Sequence, residues 1–332
     1  MNSSLHFSIK LIISCFLLII MFGFAIIFGA AETSIVDVWK AIFTSQNNDS
    51  INIIREIRLP REVAAIIVGS ALAISGAIMQ GMTRNPLADP GLLGLTSGAN
   101  AALAVTLAFL PATNYLGITF ACFVGSALGA ILVFSIGAAK KGGFSPLRIV
   151  LAGAAVSAFL YAVADGIGIY FKISKDVSMW TSGGLIGTSW SQLQVIAPFV
   201  IAGVIVSLLL SRQLTILSLN EEVAVGLGQR IFLVKTILFL VVILLTGASV
   251  ALVGNMAFVG LMVPHIVRAI VGTDYRFIIP MSAILGAILM LLADTIGRTI
   301  NIPYETPVAA IIAIMGLPFF LLIVRKGGKI FQ

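Results

Sequence analysis

The sequence is poor in charged residues, in histidine and in cysteine. Charged residues make up only 10% of its 332 positions, and there are two histidines and two cysteines. No G-x-x-x-x-G-K-[ST] or H-E-x-x-H segment occurs, and no His, Cys and carboxylate cluster has the spacing of a metal site. We therefore expect no catalytic residue, no metal ligand and no cofactor, and no ATP hydrolysis by this chain alone.

Apolar residues are abundant instead. They make up 59% of the chain, and the mean hydropathy is +1.12, which is typical of an integral membrane protein. A bilayer crossing needs about 20 apolar residues, and this rule predicts about ten transmembrane helices in an all-α protein. The predicted spans are 11–30, 63–82, 92–110, 117–139, 149–171, 193–211, 231–253, 257–270, 277–293 and 306–324.

An even number of spans puts both termini on one side of the membrane, and the basic residues indicate which side. With both termini in the cytoplasm, thirteen of the 20 Lys and Arg residues are cytoplasmic. These are Lys10, Arg84, Lys140, Lys141, Arg148, Arg212, Arg230, Lys235, Arg268, Arg276, Arg325, Lys326 and Lys329. This bias explains the net charge of +7, and no basic stripe suggests a nucleic-acid partner.

No linker or composition shift divides the chain, so residues 1–332 are expected to form a single membrane domain with short loops. Cys15 and Cys122 lie inside apolar spans and are expected to be packing residues. The longest outer connection, 32–62, is predicted to contain a short amphipathic helix at 34–43 capped by Ser34.

Two carboxylates, Asp165 and Asp294, lie within predicted spans. Counting about 1.5 Å per residue from Arg148 and Arg276 puts each about 25–27 Å above the inner face, at the outer boundary. Asp294 can pair with Arg298 one turn later. We expect both to be interfacial anchors and not members of a proton relay.

A polar, proline-containing break interrupts the apolar pattern at 76–99, where the sequence reads GAIMQGMTRNPLADPGLLGLTSGA. Pro86 and Pro90 are expected to stop the helix, with Arg84 and Asp89 at a water interface. This string resembles the loop after the second transmembrane helix in permeases of bacterial ABC importers for iron-siderophores, haem and cobalamin. Further segments resemble the same family: SLNEEVAVGLG at 218–228, GNMAFVGLMVPHIVR at 254–268, ADTIGRTI at 293–300 and PYETPVAAIIAIMGLPFFLLIVR at 303–325.

The resemblance implies a permease that pairs with a second permease subunit, identical or different, two copies of an ATPase and an extracytoplasmic binding protein. A ferric siderophore is the expected substrate, with haem or cobalamin as the alternatives. The family resemblance places the translocation path along the fifth helix, about 149–170. It places cytoplasmic gates at Asn85 and Leu87, and near Phe144 and Ser145.

Two further groups of site residues follow from the resemblance. The segment 218–228 resembles the family's coupling helix, in which Asn220 can cap the first turn. Its predicted ATPase contacts are Ser218, Glu221, Glu222, Ala224, Leu227 and Gly228. Arg58, Arg61 and Arg298 are predicted to form a basic pocket for acidic side chains of the binding protein. Alternatively, these arginines anchor helix ends or pair locally, Arg298 with Asp294 and Arg61 with Glu62.

Two other classes of membrane protein compete with this interpretation. A carrier driven by an ion gradient usually has ionisable residues at mid-depth, and a polytopic enzyme needs clustered nucleophilic, acid–base or metal-binding groups. The sequence shows neither feature, and both alternatives are therefore less well supported.

Overall fold

The computed structural model describes residues 2–29, 34–44, 46, 48–138, 146–181, 184–302 and 304–325, and all its regular structure in these ranges is helical. The α-helices are α1 (Asn2–Ile27), α2 (Ile35–Phe43), α3 (Asp49–Ile53), α4 (Leu59–Thr83), α5 (Leu95–Phe109), α6 (Tyr115–Ala138), α7 (Pro146–Tyr170), α8 (Ser174–Thr181), α9 (Trp190–Leu209), α10 (Ser211–Leu219), α11 (Glu221–Gly226), α12 (Ile231–Val253), α13 (Val259–Val271), α14 (Tyr275–Thr299) and α15 (Val308–Arg325).

Each of the ten predicted spans coincides with one long or apolar helix. Within the described ranges, seven helical segments are long and apolar enough to cross a membrane. The other three spans correspond to the shorter apolar helices α5, α13 and α15. The predicted all-helical membrane fold is confirmed, and the short helices leave the number of full crossings less sharply defined.

Helix α1 packs at the edge of the bundle through a single stripe. Phe7, Leu18 and Met21 are partly buried against the main core, and Ala25 is fully buried in it. The other face leaves large apolar side chains exposed, among them Ile12, Phe16 and Ile19. A helix that is apolar on all sides, as here, suits a position with protein on one side and lipid on the other.

The outer connection contains more helix than the sequence predicted. Helix α2 is confirmed, with Ser34 and Asp37 forming a capping box at its first turn. A second helical segment then runs from Asp49 to Thr83, through a wide π-type turn at Ile54–Arg58. Charged residues at 55–62 concealed this extension, because the apolar-window rule detects lipid-facing surface and not helix.

Two of the connections, those before α5 and α13, lead into short helices. Gly94 and Phe258 precede α5 and α13, and both have left-handed backbone, with φ of 80° and 68°. The division of the apolar run at Gly254 is confirmed, because α12 ends at Val253. Asp89 is buried and accepts a 2.7 Å hydrogen bond from the Gly91 N–H, so its predicted place at a water interface is wrong.

Close glycine contacts hold the helices together. A Cβ on Gly76 would lie 1.9 Å from the Gly260 carbonyl oxygen, where α4 crosses α13. A Cβ on Gly69 would lie 2.3 Å from the Gly286 carbonyl oxygen, and α5 meets α6 in the same way at Gly98. Small residues therefore serve packing within this chain, as the density of Gly, Ala and Ser in the spans indicates.

Several hydrogen bonds between distant segments join residues that are predicted to lie on the same side of the membrane. On the side predicted to be cytoplasmic, Lys10 donates to the Ile270 carbonyl and Thr215 donates to Asp274. On the other side, the Trp190 indole donates to the Arg55 carbonyl. This pattern agrees with the predicted alternation of the helices.

Candidate functional site

A short helix, α11, lies between α10 and α12 at the predicted cytoplasmic end. Asn220 caps it, since its side-chain oxygen accepts a hydrogen bond from the Glu222 N–H. It ends in a Schellman motif at Gly228, which has a φ of 76°. There the Gln229 N–H donates to the Ala224 carbonyl, and the Gly228 N–H donates to the Val225 carbonyl. The predicted helix and both of its ends are thus present.

The outward face of α11 is apolar. Val223, Val225 and Leu227 are 46%, 62% and 66% exposed. Glu222 and Gly228 are also exposed, and Ser218 is half-buried with its hydroxyl on the Thr215 carbonyl. A charged surface helix that presents three apolar side chains to the outside has the composition of a docking surface.

Ala224 does not share this exposure. Its side chain is fully buried against the chain's own helices, so a direct contact with a separate subunit, as predicted for it, is not available. The physical reason is the helical period: the residue one position after Val223 turns towards α10 and α12. Val223 and Val225, which the sequence prediction omitted, take its place on the outer face.

Glu221 is the most connected residue of this region. Its carboxylate lies 2.7 Å from the Lys235 ammonium on α12 and 3.5 Å from the Arg84 guanidinium at the end of α4. The hydrogen bond from Lys235 is the main cause that holds the pKa of Glu221 below its usual value. Arg84 directly precedes the predicted gate residues.

The predicted gate residues Asn85 and Leu87 lie in a compact turn. Arg84 ends α4 with a φ of 51°, and the Asn85 N–H donates to the Gln80 carbonyl at 3.2 Å. The Asn85 side chain then accepts a hydrogen bond from the Leu87 N–H at 3.0 Å, and both side chains are half-buried. The other two predicted gate residues, Phe144 and Ser145, lie outside the described residues.

At the opposite end, Arg58, Arg61 and Arg298 come together but are buried, with 5%, 7% and 3% exposure. Arg61 forms ion pairs with Asp294 at 2.8 Å and with Glu305 at 2.9 Å. We call these five residues, together with Glu62, the outer charge cluster: Arg58, Arg61, Glu62, Asp294, Arg298 and Glu305.

The predicted pair of Arg298 and Asp294 is confirmed, at 2.9 Å. Arg298 also contacts Glu62, so Glu62 is not the partner of Arg61 that local pairing suggested. Arg58 donates to the Ile26 carbonyl at 2.6 Å, and Arg298 donates to the Ala25 carbonyl at 3.0 Å. The cluster thus ties the end of α1 to α4 and α14.

The acidic members of the outer charge cluster were not predicted as a set. Glu62 and Glu305 are close to arginines in space but are separated from their partners by more than 200 positions. The only signal in the sequence was the alternation of acidic and basic residues in RLPRE and near Asp294. Asp165, by contrast, is exposed on α7 together with Ala158 and Ala162.

Comparisons with known proteins agree with this arrangement. The FecCD transport family model matches residues 17–326. The "Iron(3+)-hydroxamate import system permease protein FhuB" of Bacillus subtilis (strain 168) is 44% identical over 299 residues, covering 90% of this chain and 78% of that protein. The "Fe(3+)-citrate import system permease protein YfmD" of the same strain is 40% identical over 316 residues, covering 95% and 94%.

A solved structure gives the same fold. A chain from an inward-facing metal-chelate type ABC transporter superposes with a TM-score of 0.81, covering 96% of this chain and 99% of that chain at 26% identity. The agreement over nearly the whole length means that the described helices have the order and packing of a transporter subunit.

Proposed function

This chain belongs to the FecCD transport family, and we propose that it is the membrane-spanning permease of an ATP-driven importer that carries a ferric siderophore into the cytoplasm. It is a multi-pass protein of the bacterial cell membrane. The observation that carries the proposal is the capped helix α11, which exposes the apolar side chains of Val223, Val225 and Leu227. A loop that only connected two spans would not need to expose apolar side chains. A separate ATPase with an apolar groove is the partner that this surface suits.

The proposed assembly contains this permease, a second permease subunit, two ATPase copies and an extracytoplasmic binding protein. Helix α7 supports the pairing with a second permease, because it leaves small residues such as Ala154, Ala158 and Ala162 exposed along one face. An exposed row of small side chains allows another helix to approach closely, and a path for a bulky chelate along such an interface needs little side-chain volume.

The outer charge cluster is the proposed docking region for the binding protein. Its three arginines are balanced by three carboxylates of this chain. An acidic side chain of the binding protein would therefore have to join one of these ion pairs or replace its carboxylate. Glu305, whose side chain is 28% exposed, is the most accessible member of the cluster. The proposal therefore places first contact at Arg61, where an incoming carboxylate would displace the accessible carboxylate of Glu305.

Uptake in cells tests the substrate. A strain that lacks this protein should fail to accumulate one class of iron-55 chelate, and restoring the gene should restore that uptake. Ferric hydroxamates, ferric citrate, ferric catecholates and haemin, each labelled with iron-55, and cobalamin labelled with radioactive cobalt are supplied separately. If only haemin or cobalamin uptake is lost, that compound replaces the siderophore as the assigned substrate. Unchanged uptake of all five would contradict the proposed import function.

A further inference from the structure

One carboxylate connects the proposed ATPase-docking helix to the proposed gate. Glu221 is the first residue of α11, and it contacts both Lys235 on α12 and Arg84 at the end of α4. We infer that Glu221 is a positioning residue that transmits the displacement of α11 to the gate turn through Arg84. The inference rests on the proposed function, because it assumes that an ATPase moves α11.

On the gate side, Arg84 is followed directly by a hydrogen-bonded turn. Arg84 stands immediately before the turn that contains Asn85 and Leu87. That turn is closed by three hydrogen bonds, to the Gln80 carbonyl, to the Asn85 side chain and, from the Ala88 N–H at 3.1 Å, to the Asn85 carbonyl. A displacement of Arg84 therefore acts on a turn whose backbone is held by these hydrogen bonds.

On the coupling side, α11 moves as a unit. It has hydrogen-bonded caps at both ends, and its central residue Ala224 is fully buried. The Gln229 amide donates to the Gln213 carbonyl at 3.0 Å, which also joins the end of α11 to α10. Because Glu221 is the first residue of this unit, a displacement of the exposed face displaces its carboxylate.

The charges allow the link to form and break. All three side chains are partly exposed, at 41% for Glu221, 44% for Arg84 and 35% for Lys235. Exposed ion pairs are weak, so the contact with Arg84 can separate and reform within a transport cycle. Because the pKa of Glu221 is lowered, its carboxylate stays charged at neutral pH and the link is lost only as acidic pH protonates it.

Two conservative variants and their combination test the inference. Glu221→Gln and Arg84→Gln each remove one charge from the pair, and the double variant removes both. Each complex is reconstituted in lipid vesicles with its ATPase and binding protein, and the number of ATP molecules hydrolysed per chelate imported is measured. Co-purification of the ATPase is measured in parallel, because Glu221 is also a predicted ATPase contact.

The inference predicts that each single variant raises ATP use per chelate about fivefold, the ratio that corresponds to about 1 kcal/mol for an exposed pair. It predicts that the double variant is no worse than Glu221→Gln alone, since Glu221→Gln already removes the contact with Arg84 as well as the one with Lys235. ATPase co-purification should be unchanged in Arg84→Gln, because Arg84 is not a predicted ATPase contact. Independent losses that multiply in the double variant would overturn the inference, as would a normal ratio in both single variants.

Charge exchange gives an independent test. Glu221→Arg places a third cation beside Arg84 and Lys235, and adding Arg84→Glu restores an opposite-charge pair between the same two positions. The inference predicts that coupling is lost in the single variant and partly recovers in the exchanged pair. No recovery would overturn it. If the unmodified complex does not import any chelate with ATP, the proposed function fails and not the link.

Discussion

At the scale of single residues, the most informative feature is the outer charge cluster. Asp294 is fully buried and lies within 3 Å of two arginines, Arg61 and Arg298. Removing one partner of a buried ion pair is costly because the remaining charge has no water and no counter-charge. The cluster is therefore expected to stabilise the outer ends of α1, α4 and α14 as well as to take part in docking.

Asp294→Asn should lower the free energy of unfolding by about 3–5 kcal/mol, because both arginines lose their shared carboxylate. Thermal unfolding in detergent measures the loss, followed through the reactivity of the buried Cys122 after the exposed Cys15 is replaced by alanine. Asp165→Asn is the matched control, since Asp165 is exposed on α7 and its change should stay within about 0.5 kcal/mol. Equal stability of the two variants would mean that the cluster has no structural role.

Local pairs could be predicted from the sequence, and distant ones could not. Arg298 and Asp294 are four positions apart on one helix, so their contact followed from helical geometry. Arg61 and Asp294 are 233 positions apart, and only the packing of α4 on α14 brings them together. The burial of Ala224 was missed for the same reason, because it depends on where α10 and α12 lie.

At the scale of helices, the glycine contact between α4 and α13 should be intolerant of any side chain. Gly76→Ala would put a methyl group 1.9 Å from the Gly260 carbonyl oxygen, and overpacking of this kind typically costs about 1–3 kcal/mol or more. Gly23→Ala is the control, because nothing lies within 4 Å of its added Cβ. We expect reduced membrane yield and thermal stability for the first variant and no loss for the second.

The exposed face of α11 leads to a second prediction at this scale, which concerns binding of the ATPase. Leu227→Glu, together with Val225→Glu, should leave the permease inserted and stable, because both side chains are exposed. The ATPase should no longer co-purify, since two charges would enter an apolar interface. Ala224→Arg should instead lower the stability of the permease itself. Retention of the ATPase by the Leu227 and Val225 variant would contradict the docking assignment.

The spans were predictable because long runs of apolar residues, about 20 in most of them, are a strong local signal. The helices α3, α8 and α10 were not predicted, because they are short and mostly polar. Caps gave the best short-range information: Ser34 and Asn220 correctly marked the starts of α2 and α11.

At the scale of the whole molecule, the orientation in the membrane can be tested with single cysteines. Cys15 and Cys122 are first replaced by alanine, and a cysteine is then placed at Asn48 or at Glu222. The first should react with a membrane-impermeant thiol reagent in intact cells once any outer membrane is permeabilised, and the second only in opened cells from a strain without the ATPase, since Glu222 is a predicted ATPase contact. The reverse pattern would invert the side of every connection described above.

The identity of the chelate is a property of the assembly and was not predictable from this chain. Two relatives of similar identity, at 44% and 40%, are named for a hydroxamate and for citrate. The exposed residues of α7 are small ones such as Ala158 and Ala162 together with large apolar ones such as Leu151 and Phe159, and they offer few polar groups to select one chelate. Selection is therefore expected to rest chiefly with the binding protein.

The central claim is that this chain imports its substrate only as part of an ATP-driven complex. The most direct test measures iron-55 siderophore uptake into vesicles that hold the purified permease, its ATPase and the binding protein, supplied with ATP or with an imposed proton or sodium gradient. The account predicts uptake with ATP, none with ADP or with a gradient alone, and none when the ATPase is omitted. Uptake by the isolated permease under an ion gradient would contradict it.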